Sequence, residues 1–209
     1  LLPKKVEKET AREIIKKIRA ARRPVINAGN GIRIAGAHEV FIRVAEALQI
    51  PVVTGADSID CIWDEHPLYT GKGGNVGDRA GNFAIQNSDL LLSLGSRLSF
   101  RQVGYRFDTW AREAYTIIND IDAEELKKPT LHVDMPVHAD AKDLMETMAA
   151  VLREEYDKKP VFDGGEGLPG MTWSETCRMY REKYPTIRKE QLKPDPTREA
   201  NVYAVVEAL

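Results

Sequence analysis

The sequence predicts an α/β fold built on a parallel sheet, and three observations carry that prediction. Asn87–Gln102 (Asn-Ser-Asp-Leu-Leu-Leu-Ser-Leu-Gly-Ser-Arg-Leu-Ser-Phe-Arg-Gln) holds a leucine run between turn formers, the pattern of a strand buried on both faces. Pro24–Ala28 is a second apolar run. It passes through Gly29-Asn30-Gly31 into a helical pattern and then a third run at Ile50–Thr54, which together make a βαβ unit. Ala114–Ile121 repeats the buried-strand pattern and closes on Asp120-Ile121-Asp122.

Length and composition bound the answer. The chain has 209 residues, enough for one domain with an extension, since domains hold about 100–200 residues. Thirty Lys and Arg against 32 Asp and Glu leave a net charge of −2, which argues against a nucleic-acid surface. No apolar run approaches the ~20 residues that span a bilayer. Cys61 and Cys177 are too few for a disulfide scaffold or a zinc site. The N-terminal Leu1-Leu2-Pro3-Lys4-Lys5 lacks the order of a signal peptide, and these features together point to the cytoplasm.

Taken in order, Glu9–Ala21 places Ala11, Ile14, Ile15 and Ile18 at helical spacing with basic residues opposite. Ala35–Leu48 is a second helix, with Val40, Phe41, Val44 and Leu48 inward. Asp57–Leu68 reads as irregular, and Gly71–Gly81 as a glycine loop that either cradles a ligand or lies free on the surface. Ala80–Gln86 reads as a helix leading into the strand that follows Asp89, and Asp108–Glu113 as a short helix. Thr130–Val133 is the expected last strand, and Asp140 caps a final helix, Ala141–Glu154. Beyond it, Tyr156–Gly170 and Pro185–Arg198 read as linkers around a helix at Met171–Tyr184. Asn201–Leu209 begins an amphipathic helix without a stop signal. The chain begins and ends close to helices, which predicts an excised piece of a longer protein.

The candidate site lies at the carboxyl ends of the strands, where open α/β sheets bind ligands. Gly95 followed by Arg97 and Arg101 suits an anion, and an ordinary strand end with two solvated arginines accounts for the same residues. Gly29-Asn30-Gly31 allows backbone approach to a phosphate, but Ile34 breaks the full Gly-x-Gly-x-x-Gly pattern. Asp120 is assigned to a ligand, because dinucleotide folds hold ribose hydroxyls with an acid at a strand end. Asp122 is assigned to a helix cap, with Glu125 at capping-box distance. His132, Asp134, His138 and Asp140 match no compact zinc spacing, so a metal is rejected.

These segments in their order resemble a known family. Arg23-Pro24-Val25-Ile26 with Gly29-x-Gly31, Ile50-Pro51-Val52-Val53-Thr54, Gly74-x-x-Gly77, Ser88-Asp89-Leu90-Leu91-Leu92, Gly95-x-Arg97, and Asp120-Ile121-Asp122 with Glu125 look like the central domain of thiamine-diphosphate-dependent enzymes. The acetolactate synthase large subunit is the member they resemble most. The likeness runs from Ala20 to Leu152. It implies a Rossmann-like, six-stranded parallel sheet with helices on both faces, akin to NAD- and FAD-binding folds (DHS-like), followed by a linker helix. It divides the chain into a central domain (1–155), a linker with one helix (156–200) and the start of a diphosphate-binding domain (201–209).

The resemblance also implies a site. Carried over residue by residue, contacts to FAD, or to ADP in related members, fall on Gly29, Asn30, Gly31, Thr54, Gly74, Asn75, Arg97, Asp120, Ile121 and Asp140. Arg101 matches an arginine facing the substrate channel. Three departures stand out. Asn30 replaces a glycine, Gly74-Asn75-Val76-Gly77 lacks the family's histidine, and Arg97-Leu98-Ser99-Phe100-Arg101 lacks its two aspartates. They predict weak or absent FAD binding and a substrate other than two pyruvates. The family's thiamine diphosphate and Mg²⁺ are bound by flanking domains of the same chain, so no catalytic residue and no metal ligand is expected in this segment, which alone catalyses nothing. The parent is expected to be a homodimer or homotetramer acting on a 2-oxo acid. The competing class is a free-standing nucleotide-binding or NAD-dependent deacylase-like module, against which two cysteines count, because deacylases usually carry a four-cysteine zinc site.

Overall fold

The computed structural model describes residues 3–156, 160–193, 197, 201–207 and 209, with the backbone alone at Glu207. The helices are α1 (Lys8–Ala20), α2 (Gly31–Ile34), α3 (His38–Leu48), α4 (Arg79–Asn87), α5 (Phe100–Val103), α6 (Ala141–Glu155), α7 (Trp173–Lys183) and α8 (Val202–Glu207). The strands are β1 (Pro24–Ala28), β2 (Val52–Thr54), β3 (Tyr69–Lys72), β4 (Leu90–Leu94), β5 (Tyr115–Asp120) and β6 (Met135–His138). They form one sheet in the order β3-β2-β1-β4-β5-β6, parallel throughout.

Every residue of β1 and β4 is buried, as a strand covered on both faces requires. Helices α1, α3 and α6 pack on one another over one face, and α4 and α7 cover the other. Asp89 fixes the start of the central pair: its carboxylate accepts the Arg22 and Arg23 amides at 2.9 and 2.7 Å. Register then aligns Ala28 with Leu94 and Leu94 with Asn119, so β1, β4 and β5 end on one line.

Several elements differ from the sequence reading. Strand β3 occupies the head of the expected glycine loop; Tyr69-Thr70-Gly71-Lys72, with one glycine in four positions, gave no periodicity to read. The last strand is β6, not Thr130–Val133. Pro136 within it lacks an N–H, which an edge strand tolerates. Residues 131–134 are held as a loop by the Asp134 carboxylate, which accepts the Thr116 amide at 2.8 Å. Asp108–Glu113 is a 3₁₀ turn at Phe107–Thr109 followed by Ala111 at φ 46°, which no helix continues through. The expected helix from Ala35 begins at His38, after the separate short turn α2. The expected capping box at Asp122 does not form, because the 3₁₀ turn Glu125–Lys127 starts after Glu124 without a side-chain cap. Asp122 accepts the Glu124 amide at 2.9 Å, while Glu125 turns elsewhere.

The segment after α6 folds back onto the sheet. Val161, Phe162 and Trp173 are buried, and the Trp173 indole N–H donates to the Pro24 carbonyl at 3.0 Å. A capping box, Thr172 with Glu175, starts α7. Parts of the expected linkers (157–159, 194–196 and 198) and position 208 of the expected last helix lie outside the described residues. Among the described residues no helix is long and apolar enough to cross a membrane.

Candidate nucleotide crevice

The sheet changes winding direction between β1 and β4, which is where a doubly wound sheet opens a crevice at its carboxyl edge. A cavity of about 390 Å³ lies there. Gly29, Asn30 and Gly31 line it from the turn after β1, and Gly95, Ser96, Arg97 and Arg101 from the segment after β4. Asn119, Asp120 and Ile121 close it from β5, Asp140 and Ala141 from the start of α6, and Ala56, Asp57 and Ser58 from the turn after β2. Arginines therefore stand on one wall and carboxylates on the others.

The glycines have a packing cause. A Cβ on Gly31 would lie 2.8 Å from the Gly95 Cα, so the turns after β1 and β4 touch backbone to backbone. Gly31 N–H donates to the Gly95 carbonyl at 2.9 Å and locks them. Gly95 takes φ 53°. Below the first turn, burial pushes the Cys61 thiol up to about 11, which leaves it an unreactive apolar filler.

Arg101 reaches the crevice because its neighbour is anchored inside. The buried Gln102 donates from Nε2 to Asn27 Oδ1 at 3.0 Å, and Asn27 Nδ2 donates to Ser93 Oγ at 3.1 Å. This buried chain ties the short α5 to β1 and β4. Arg97 and Leu98 both adopt left-handed backbone, φ 55° and 48°, uncommon for any non-glycine residue and more so for a bulky one. Arg97 Nε donates to Glu125 Oε1 at 2.7 Å. Burial pushes the Glu125 carboxyl up, but hydrogen bonds from Lys128 and Arg97 outweigh it and hold the carboxyl below its usual range.

Of the sequence-derived candidates, Gly29, Asn30, Gly31, Arg97, Arg101, Asp120, Ile121 and Asp140 come together around the crevice. Thr54, Gly74 and Asn75 do not line it. Thr54 is buried at the end of β2. Gly74 packs so tightly that a Cβ would lie 2.5 Å from the Arg101 carbonyl oxygen, and the Asn75 amide donates to that carbonyl at 2.8 Å. The glycine loop thus supports α5 from behind. Asp140 caps α6 through the Lys142 and Asp143 amides at 2.9 and 3.2 Å. Asp120 accepts the Asp122 amide at 3.0 Å. Sequence reasoning missed Asp57, Ser58 and Asn119. An asparagine inside an apolar run was the one available signal for Asn119, whose Nδ2 donates to the Val137 and Ala139 carbonyls while its buried Oδ1 has no protein partner.

The family model for the thiamine pyrophosphate enzyme central domain matches residues 11–148. The chain belongs to this family. It is 38% identical over 135 residues to a probable acetolactate synthase large subunit of Methanococcus aeolicus, covering 65% of this chain and 22% of that protein. It is 38% identical to an acetolactate synthase of Mycobacterium avium, over 69% of this chain and 23% of the relative. A sulfoacetaldehyde acetyltransferase of Roseovarius nubinhibens is 32% identical over 81% of this chain and 32% of its own length. The chain thus spans about a quarter to a third of these relatives. The family match and these relatives give no support to the deacylase-like alternative.

Proposed function

We propose that this chain is the central domain of a thiamine-diphosphate- and Mg²⁺-dependent carboligase or decarboxylase acting on 2-oxo acids, and that its crevice holds a nucleoside diphosphate. The carrying observation is the placement of two arginines against three carboxylates at the β1–β4 switch point of a family central domain. Relatives named for acetolactate synthesis and acetyl transfer support the reaction class. Thiamine diphosphate, bound by other parts of the parent, would supply the decarboxylation and carbon–carbon bond chemistry. This chain's part is binding and support. Arg97 would pair with phosphate oxygens as a planar fork. Asp120 would accept from ribose hydroxyls, and Arg101 would face the substrate channel. The unpartnered Asn119 Oδ1 offers one further acceptor. A cavity of about 390 Å³ sits low in the ~300–1,000 Å³ range of small-molecule sites, which favours ADP over the larger FAD. The parent would be a cytoplasmic homodimer or homotetramer.

Calorimetric titration with ADP and FAD tests the crevice. Saturable ADP binding with weaker FAD binding is expected. A tight stoichiometric flavin complex overturns the preference, and no binding of either nucleotide overturns the site. The expected activity is Mg²⁺- and thiamine-diphosphate-dependent release of CO₂ from a 2-oxo acid by the full-length parent. Failure across a panel of 2-oxo acids would refute the reaction class.

A further inference from the structure

The turn after β4 is strained where the crevice needs a cation. Arg97 and Leu98 lie side by side in left-handed backbone, a conformation that persists only where neighbours impose it. The buried Leu98 side chain and two neighbours, Lys128 and Glu125, do so. Leu98 is 2% exposed and fixed in the core, which anchors one end of the strained pair. Lys128, from the turn after β5, donates its ammonium to the Arg97 carbonyl and to the Leu98 carbonyl, the latter at 3.2 Å. Glu125, one turn earlier, receives Lys128 on Oε2 at 3.1 Å and Arg97 Nε on Oε1 at 2.7 Å. One carboxylate thus joins the clamp on the backbone to the side chain it presents. The ion pair takes Nε alone, so the terminal nitrogens of Arg97 keep their donors. The Arg97 side chain stays 77% exposed, at the crevice wall.

We propose that Glu125 and Lys128 are positioning residues that hold the Arg97–Leu98 turn and aim the Arg97 fork at the phosphate groups of a nucleoside diphosphate. The choice of ligand rests on the reading of the crevice given above; the positioning role rests on the geometry of the turn. A plain surface ion pair does not account for the arrangement, because such pairs do not seize two consecutive strained carbonyls. A capping role does not either, since Glu125 bonds no helix-terminal amide of its own turn.

The sign of the expected effect separates positioning from simple charge. Glu125→Gln removes a negative charge beside an anion site, so electrostatics alone predicts tighter ADP binding. Positioning predicts weaker binding, by about two- to tenfold, the cost of ordering a freed arginine side chain on binding. Lys128→Met, which releases both carbonyls, is expected to weaken ADP to a similar degree. Two readouts on the full chain decide: ADP titration by calorimetry, and ¹⁵N relaxation with water exchange at Arg97 Nε without ligand. The unaltered chain is expected to hold Arg97 Nε ordered and slow to exchange, and Glu125→Gln to free it at an unchanged fold by circular dichroism. Arg97 Nε unaffected by Glu125→Gln, or ADP affinity equal or tighter in that variant, overturns the assignment. If Arg97 loosens as expected while ADP binds neither chain, positioning stands and the nucleotide reading falls.

Discussion

Gly29 and Ser96 are packed so closely that a Cβ on Gly29 would lie 2.3 Å from the Ser96 Cα. The obstacle is backbone, which cannot rotate away as a side-chain tip can. Gly29→Ala must therefore push apart the turns after β1 and β4, and the Gly29 amide bond to the Leu94 carbonyl, 2.9 Å, stretches with it. We expect a loss of about 3 kcal/mol, the upper end for overpacking a close-packed interior. Gly36→Ala is the control: it meets nothing within 4 Å, and its φ of 63° costs about 1 kcal/mol of left-handed backbone. Urea midpoints of the two variants should separate clearly, and equal midpoints would mean that the two turns can slide.

Arg97→Ala removes the fixed cation on the crevice wall. Charge-assisted hydrogen bonds contribute about 1.5–3 kcal/mol, so ADP affinity should fall about thirtyfold. Because the Arg97 side chain is largely solvent-exposed, the thermal midpoint should barely move. Titration of Arg97→Ala and of Arg101→Ala side by side distinguishes the two arginines of that wall. Unchanged ADP affinity in Arg97→Ala would move the phosphate site elsewhere.

Trp173 is 1% exposed and its indole N–H reaches across to β1. Trp173→Ala leaves a large void and an unpaired Pro24 carbonyl, at a cost of about 3–5 kcal/mol. The loss should be local first. Helix α7 packs mainly on α4 and β3 and reaches β1 through the Trp173 indole, whereas β4 lies between β1 and β5. Hydrogen exchange should therefore rise over Trp173–Lys183 well before it rises over Leu90–Leu94. A uniform rise over both segments would show instead that α7 and the sheet unfold as one unit.

What the sequence made legible follows from burial. Strands β1, β2, β4 and β5 announce themselves as apolar runs because helices cover both faces. The edges do not. Strand β3 carries a glycine, and β6 carries Pro136 and an exposed His138, since an edge strand has one free side and relaxed demands. The sixfold strand count came from resemblance to a family rather than from periodicity. In the site, a residue whose role depends on its own helix was readable, such as the Asp140 cap. Glu125 was read as a capping residue because local spacing allows that and says nothing of Arg97, 28 positions earlier. The glycines of 71–81 read as either a ligand loop or a free surface loop, because sequence does not reveal whether a bare backbone faces a phosphate, solvent or another backbone. Gly74 faces the Arg101 carbonyl.

The N-terminal segment is held to α6 by acids, which makes its attachment pH-dependent. Lys5 Nζ and the Val6 amide both donate to Asp143, at 2.8 and 2.6 Å, and Lys8 donates to Glu154 at 2.7 Å. Burial pushes the Asp143 carboxyl up, but the Lys5 and Val6 hydrogen bonds prevail and hold it below the usual range. The Lys8 hydrogen bond likewise lowers Glu154. Folded values below the unfolded ones mean that the unfolded chain binds more protons as pH falls. Their stabilisation is thus complete above the unfolded range, about pH 4, and is lost as pH drops through the lower folded values. Salt separates the two. The Lys8–Glu154 pair is half exposed and should be screened at about 1 M salt, where the Debye length is about 3 Å, whereas the Val6 amide bond to Asp143 should persist. Urea midpoints between about pH 6 and pH 2 should fall more steeply for the unaltered chain than for Asp143→Asn, in low and high salt alike. Parallel curves for the two proteins would mean that Asp143 does not carry the attachment.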